Sequence, residues 1–177
     1  MSIEFTLTAI PYEDKSILEK LIQLYRYDSS ECEGHSLTEH GVYSYKYLDH
    51  QWTEDYRRPL LIKVNGEIAG FVLLILDVPK AYTKLNKAET THVMSDFFIM
   101  RKFRKQGLGL KVAHQVFNQY RGNWEIKQTA KNIAAQHFWR KVVSGYRDGE
   151  VLKEDYLDNE HWKGPVIAFK GFRESQL

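Results

Sequence analysis

The feature that most limits how this chain can fold is a strand that passes through a glycine turn straight into a helix. Residues 93–100 form an apolar, aromatic run, and Arg104-Lys105-Gln106-Gly107-Leu108-Gly109 follows. Leu108, Val112, Val116 and Tyr120 then recur on one helical stripe, with Gly122 as a stop. A glycine turn entering a helix points several backbone N–H groups and the positive helix end at one spot, which is how proteins hold phosphates. The same glycines also serve a tight turn with no ligand, because glycine reaches φ > 0 without steric cost. Two well-known phosphate loops are excluded. A dinucleotide fingerprint needs a third glycine where this chain has Val112, and a nucleoside triphosphate loop needs Gly-Lys-Ser/Thr where it has Gly109-Leu110-Lys111.

The flanking segments read as alternating strands and helices. Ile3, Phe5, Leu7 and Ala9 alternate with polar residues, the period-two pattern of a half-buried strand, and Pro11 ends it. Residues 12–27 carry apolar side chains at helical spacing, with Asp14 and Ser16 as candidate caps. Residues 28–41 read as polar and irregular, and the tyrosine-rich 42–52 as a short second helix. Asn65-Gly66 between 60–64 and 67–78 predicts a hairpin, since that pair supplies the two positive φ angles of a type I′ turn. A turn-rich connection at 79–87 leads to a strand at 90–100. Further strands are expected at 124–128, 151–156 and 165–169, with a helix at 132–143. No repeat, linker or low-complexity tract interrupts them, so one domain over 1–177 is expected.

Composition narrows the class. With 43% hydrophobic and 14% aromatic residues, 177 residues can bury a substantial core. A net charge of +2 from 25 basic and 23 acidic residues argues against a nucleic-acid or membrane partner recruited by bulk charge. The single cysteine, Cys32, excludes a disulfide within the chain and fits a reducing compartment, so a cytoplasmic location is expected. The first residues lack the basic and apolar pattern of a signal peptide, and the longest apolar run, 68–76, is too short to span a bilayer. Arg101, Lys102, Arg104, Lys105 and Lys111 cluster about the glycine loop, which suits a multiply charged anion and equally describes a solvated basic loop.

The loop resembles the Gln/Arg-x-x-Gly-x-Gly/Ala signature of the GNAT superfamily of N-acetyltransferases. Asp96-Phe97-Phe98-Ile99 with Phe103-Arg104 is similar to the family's fourth strand and its approach to the loop. Asn132-Ile133-Ala134-Ala135-Gln136-His137-Phe138-Trp139 is similar to its Asn-x-x-Ala-x-x-Phe-Tyr helix, and Gly145-Tyr146 stands where Gly-Phe usually opens the next strand. The departures are Arg101, where many members have proline, a segment between Trp139 and Gly145 about two residues longer than usual, and Trp139 in place of tyrosine. The resemblance implies an α+β fold with a mixed, mostly antiparallel central sheet of six to seven strands and about four helices. It also implies acetyl-CoA as the donor.

Acetyl transfer to an amine needs a held thioester, a neutral amine, and stabilisation of the oxyanion and leaving thiolate. The resemblance implies that Phe98, Ile99 and Met100 pair with the pantetheine arm, with a backbone N–H near Phe98 at the oxyanion. It implies that Arg104, Lys105, Gln106, Gly107, Leu108, Gly109 and Leu110 hold the pyrophosphate, with Asn132, Ala135 and Phe138 along the arm. Asp96 is the first candidate for the base, and a strand carboxylate bonded to its neighbours is an equal competitor. Glu89 and His92 follow, and a water relay needs no dedicated base. Trp139 occupies the position from which a tyrosine often protonates the leaving thiolate, but an indole N–H donates a hydrogen bond without being a useful acid near neutral pH. Phe138 is expected in the core and Trp139 at the thiol end of the channel. Asn132 also suits a helix cap.

The acceptor is expected to meet residues 28–52, where Asp28, Glu31, Glu33, Glu39 and Asp49 accompany Tyr43, Tyr45 and Tyr47, a mixture that attracts a cationic amine and also describes an ordinary polar loop. His35, His40, His50 and Cys32 show no metal-ligand spacing, so no metal is expected. The reading is an N-acetyltransferase acting on a primary amine of a small molecule in a ternary complex. Its competitors are a protein lysine or N-terminal acetyltransferase and a non-catalytic acyl-CoA-binding module. The resemblance also leaves room for a homodimer.

Overall fold

The computed structural model describes residues 3–85, 88–146, 153–160 and 162–171. The fold is mixed α/β, a seven-stranded and mostly antiparallel sheet with four helices. The strands are β1 (Phe5–Ala9), β2 (Arg57–Val64), β3 (Glu67–Pro79), β4 (Thr90–Ile99), β5 (Asn123–Lys127), β6 (Lys153–Asp158) and β7 (Lys163–Lys170). The helices are α1 (Lys15–Glu33), α2 (His50–Thr53), α3 (Leu108–Gln119) and α4 (Ile133–Tyr146). The sheet order is β1-β2-β3-β4-β5-β7-β6, with β4 and β5 parallel and the β1–β2, β5–β7 and β6–β7 ladders antiparallel. Two compact units share β3 and β4. One gathers the described residues up to Leu74 with Asp96–Gln106, and the other gathers Ile75–Ser95 with the described residues from Gly107 onward.

In the first unit, α1 buries Leu18, Leu21 and Ile22 against Leu61, Phe71, Leu73 and Phe98. Each such side chain contributes roughly 1.5–3 kcal/mol by leaving water. The β2–β3 hairpin turns at Asn65 (φ 50°) and Gly66 (φ 80°), the two positive angles expected of a type I′ turn. Gly70 has a packing reason, since a Cβ there would lie 1.9 Å from the Phe98 carbonyl oxygen on the neighbouring strand.

Two expectations about this unit are corrected. The first helix does not stop near Tyr27 but runs to Glu33, where Gly34 (φ 72°) closes it with its N–H on Ser30 O. The polar run stays helical, with Ser29 and Ser30 donating back to the carbonyls of Arg26 and Tyr27, and Asp28 held by two arginines of the strand end before the glycine turn. The second helix occupies four residues, His50–Thr53, rather than 42–52. Upstream, Gln23 clamps the N–H and C=O of Tyr43 at 2.7 and 2.9 Å, which ties that backbone to a side chain instead of a helix ladder.

In the second unit, α3 buries Leu108, Val112, Ala113, Val116 and Phe117, the stripe expected from its spacing. Phe117 meets Trp124 and Phe169 edge-on at 5.1 and 4.9 Å. Gly145 and Tyr146, expected to open a strand, instead end α4. The Tyr146 ring joins His114 and Phe117 at 5.2 Å each, and its hydroxyl donates to Gly171 O at 2.6 Å, so this tertiary cluster holds the last turn helical. The strand expected at 151–156 is β6, and its first two expected residues lie outside the described set. Glu125, 1% exposed, is satisfied by the backbone N–H groups of Lys84 and Leu85, both at 2.9 Å.

Candidate active site

The parallel β4–β5 ladder ends at the pair Met94↔Ile126, while β4 continues for five more residues to Ile99. Asp96 lies in that extension. Its Oδ2 accepts a hydrogen bond from the Tyr45 hydroxyl at 2.8 Å, so a residue of the expected acceptor segment sits directly on the candidate base. Tyr25, half-buried, belongs to the same cluster. Burial first, and then the Asp96 carboxylate, push both the Tyr25 and the Tyr45 phenol well above the usual tyrosine range, so both remain protonated donors. Tyr25 also packs on Phe71 and Phe98 at 5.7 and 5.8 Å. Sequence reasoning placed Tyr25 only on an apolar stripe; a tyrosine among aliphatic residues is the signal that a hydroxyl there needs a partner.

After Ile99 the backbone N–H of Met100 bonds Ala69 O at 2.8 Å. Arg104 donates from Nε to Ile99 O at 2.7 Å, grips Asp28 through Nη2 at 2.6 Å and lies over the Phe98 ring. Arg101 reaches the same carboxylate at 2.9 Å. Burial alone would raise the Asp28 carboxyl, yet the two guanidiniums outweigh it and hold the group below the usual carboxylate range. This corrects the picture of Asp28 as an attractor of cationic amines, because its charge is taken. Asp49 is likewise paired, with Lys15, and Lys102 with Glu67. Three of the five cations about the loop are therefore engaged, sharing the two carboxylates of Asp28 and Glu67, and the loop keeps an excess of positive charge.

The loop also offers an anion its backbone. Lys105 (φ 60°) and Gly107 (φ 80°) flank Gln106, whose φ is negative, an alternation that turns successive N–H groups toward one concavity. A left-handed conformation at Lys105 costs a non-glycine residue about 1–3 kcal/mol and is kept where surrounding structure over-determines it. No side chain caps α3, whose N-cap is Gly107, and a Cβ on Gly107 would meet nothing within 4 Å. An uncapped helix start behind an open, N–H-lined turn fits a phosphate group.

The remaining candidates lie in the second unit. Asn132 accepts the Ala135 N–H on Oδ1 at 3.0 Å, the capping bond foreseen for it. Trp139 is 6% exposed and Phe138 half-buried, their rings 4.9 Å apart, so core packing falls to the tryptophan rather than the phenylalanine. His92, a runner-up base, is 8% exposed and its ring nitrogens meet the Asp77 N–H and Arg121 O. Among the described residues, no three His, Cys, Asp or Glu side chains converge as a metal site, and no helix is long and apolar enough to cross a membrane.

Such a sheet, with a strand leading through a phosphate-suited turn into a helix, is also found in solved acetyltransferases. An acetyltransferase from Thermus thermophilus superimposes with a TM-score of 0.66 at 14% identity over 96% of this chain and 99% of that one. An aminoglycoside acetyltransferase solved with coenzyme A gives 0.60 at 16% identity, covering 94% and 95%. A spermidine N-acetyltransferase from Vibrio cholerae, solved with coenzyme A and spermine, gives 0.56 at 14%, covering 93% and 92%. A search of curated protein sequences returned no significant match. The profile of the Acetyltransferase (GNAT) family matches residues 19–144, more than half of the chain, and the chain belongs to that family. It is an acyltransferase, and acetyl-CoA is its donor.

Proposed function

We propose that the chain acetylates a primary amine of a small molecule by direct transfer in a ternary complex, with Asp96 as the base. The observation that carries this is the placement of Asp96, beyond the end of the β4–β5 ladder and hydrogen-bonded by Tyr45 from the acceptor segment. Bound acetyl-CoA supplies an activated thioester carbonyl for the amine to attack, with the coenzyme leaving as its thiol. Asp96 takes the proton that the amine must lose, and Tyr45 fixes the carboxylate's orientation. The donor's arm is assigned to the backbone of Phe98, Ile99 and Met100. Since the Met100 N–H bonds Ala69 O and the Ile99 carbonyl accepts from Arg104 Nε, the oxyanion donor is assigned near Phe98. The turn from Arg104 to Leu110, with its φ alternation and uncapped helix start, holds phosphate. Asn132, Ala135 and Phe138, in the second unit, are assigned to the arm by the family resemblance alone, and Asn132 also caps its helix. Trp139 is assigned packing instead of acid catalysis, since it is buried and its indole is no acid. The leaving thiolate then takes its proton from solvent.

Thiol release from acetyl-CoA in the presence of a panel of small primary amines tests the reading. Both substrates varied together should give intersecting reciprocal plots, as a ternary complex requires, and Asp96→Asn should lower kcat/KM about 10²–10⁴-fold. Parallel plots would reveal an acetyl-enzyme and overturn direct transfer, while full activity in Asp96→Asn would remove the assigned base.

A further inference from the structure

Arg26 stands beside the Asp96 cluster and has no role in the chemistry above. Its guanidinium lies 5.3 Å from the centroid of Tyr45, the ring whose hydroxyl holds Asp96. A negative group and a positive group thus share one tyrosine, the carboxylate at its hydroxyl and the guanidinium at its face. Arg26 Nη1 lies 2.8 Å from His35 Nε2, and because arginine only donates, His35 is the neutral acceptor. The buried Nε of Arg26 has no hydrogen-bond partner. A buried, unpaired guanidinium N–H is costly, and a planar fork short of acceptors matches a carboxylate. The local field agrees: His35 is held below the usual histidine range by burial and then by Arg26, with Glu33 opposing less.

We propose that Arg26 is a specificity-determining residue that selects acceptors bearing a carboxylate besides the reacting amine, the carboxylate set against Arg26 and the amine against Asp96. The proposal rests on the assignment of the Asp96 cluster as the acceptor site. A second cationic group on the acceptor would fall beside Arg26, where like charges oppose binding. Polycationic amines are therefore poor acceptors, and a neutral alkylamine is intermediate.

The test compares an alkylamine, an ω-amino carboxylate and a diamine of matched chain length by thiol release from acetyl-CoA. The amino carboxylate should exceed the diamine at least tenfold in kcat/KM. Arg26→Gln should bring that ratio close to one, and Arg26→Lys, which keeps the charge, should retain most of it. A purely structural arginine would instead lower all three acceptors together and leave the ratio unchanged, and that result overturns the proposal. Equal or better turnover of the diamine by the parent overturns it without any variant. If none of the three releases thiol, the transferase reading of this site fails with it. Turnover of the alkylamine without a preference for the carboxylate removes only the selection by Arg26.

Discussion

At Asp28 one carboxylate holds two arginines, Arg101 at 2.9 Å and Arg104 at 2.6 Å, and so ties α1 to the strand end that precedes the glycine turn. Its folded-state pKa is depressed, so the stability it contributes is fully present above the unfolded carboxylate value of about 3.9. That contribution is lost as pH falls through the lower folded value. Thermal unfolding of the parent and of Asp28→Asn across acid pH should show the variant less stable near neutrality and the difference shrinking below about pH 4. A gap that stays constant through acid pH would mean that Asp28 stabilises through packing and not through its charge. The residue's type and position were legible from the sequence, as were the arginines, but their pairing was not. Seventy-odd residues separate them, and spacing along the chain says nothing about which carboxylate the fold brings to a guanidinium.

Among the elements, β3 and β4 approach closely where Gly70 admits the Phe98 carbonyl. With 1.9 Å between that oxygen and an added Cβ, Gly70→Ala must push backbone aside, since no flexible side-chain end can yield. It should cost about 1–3 kcal/mol or more, visible as a lower midpoint in denaturant, and should reduce turnover because Phe98 and Asp96 share the displaced strand. An unchanged midpoint would show that the strands can separate there without loss. The elements most legible in advance were those with a local cause: the Asn65-Gly66 turn, the α3 stripe and the period-two β1. The end of α1 and the length of α2 were not, because tertiary bonds bear on them: Asp28 holds two distant arginines and Gln23 clamps the Tyr43 backbone. Those bonds override propensity without changing the polar look of the segment.

For the whole molecule, ligand linkage is the decisive measurement. With acetyl-CoA about a hundredfold above its dissociation constant, unfolding should become harder by roughly 2.7 kcal/mol. Gly107→Glu, which sets a negative side chain at the start of α3, should abolish that increment, while a variant that keeps it would place the phosphates elsewhere. The sequence by itself determined the family, the α/β class and the phosphate-suited turn, because these rest on local φ requirements, residue periodicity and a motif contiguous in the chain. Only the tertiary structure decided that Tyr45 holds Asp96, that Asp28 pairs with Arg101 and Arg104, and that Trp139 is buried. Each of these depends on which distant side chains burial brings within hydrogen-bond reach, and burial is a property of the folded chain rather than of any segment.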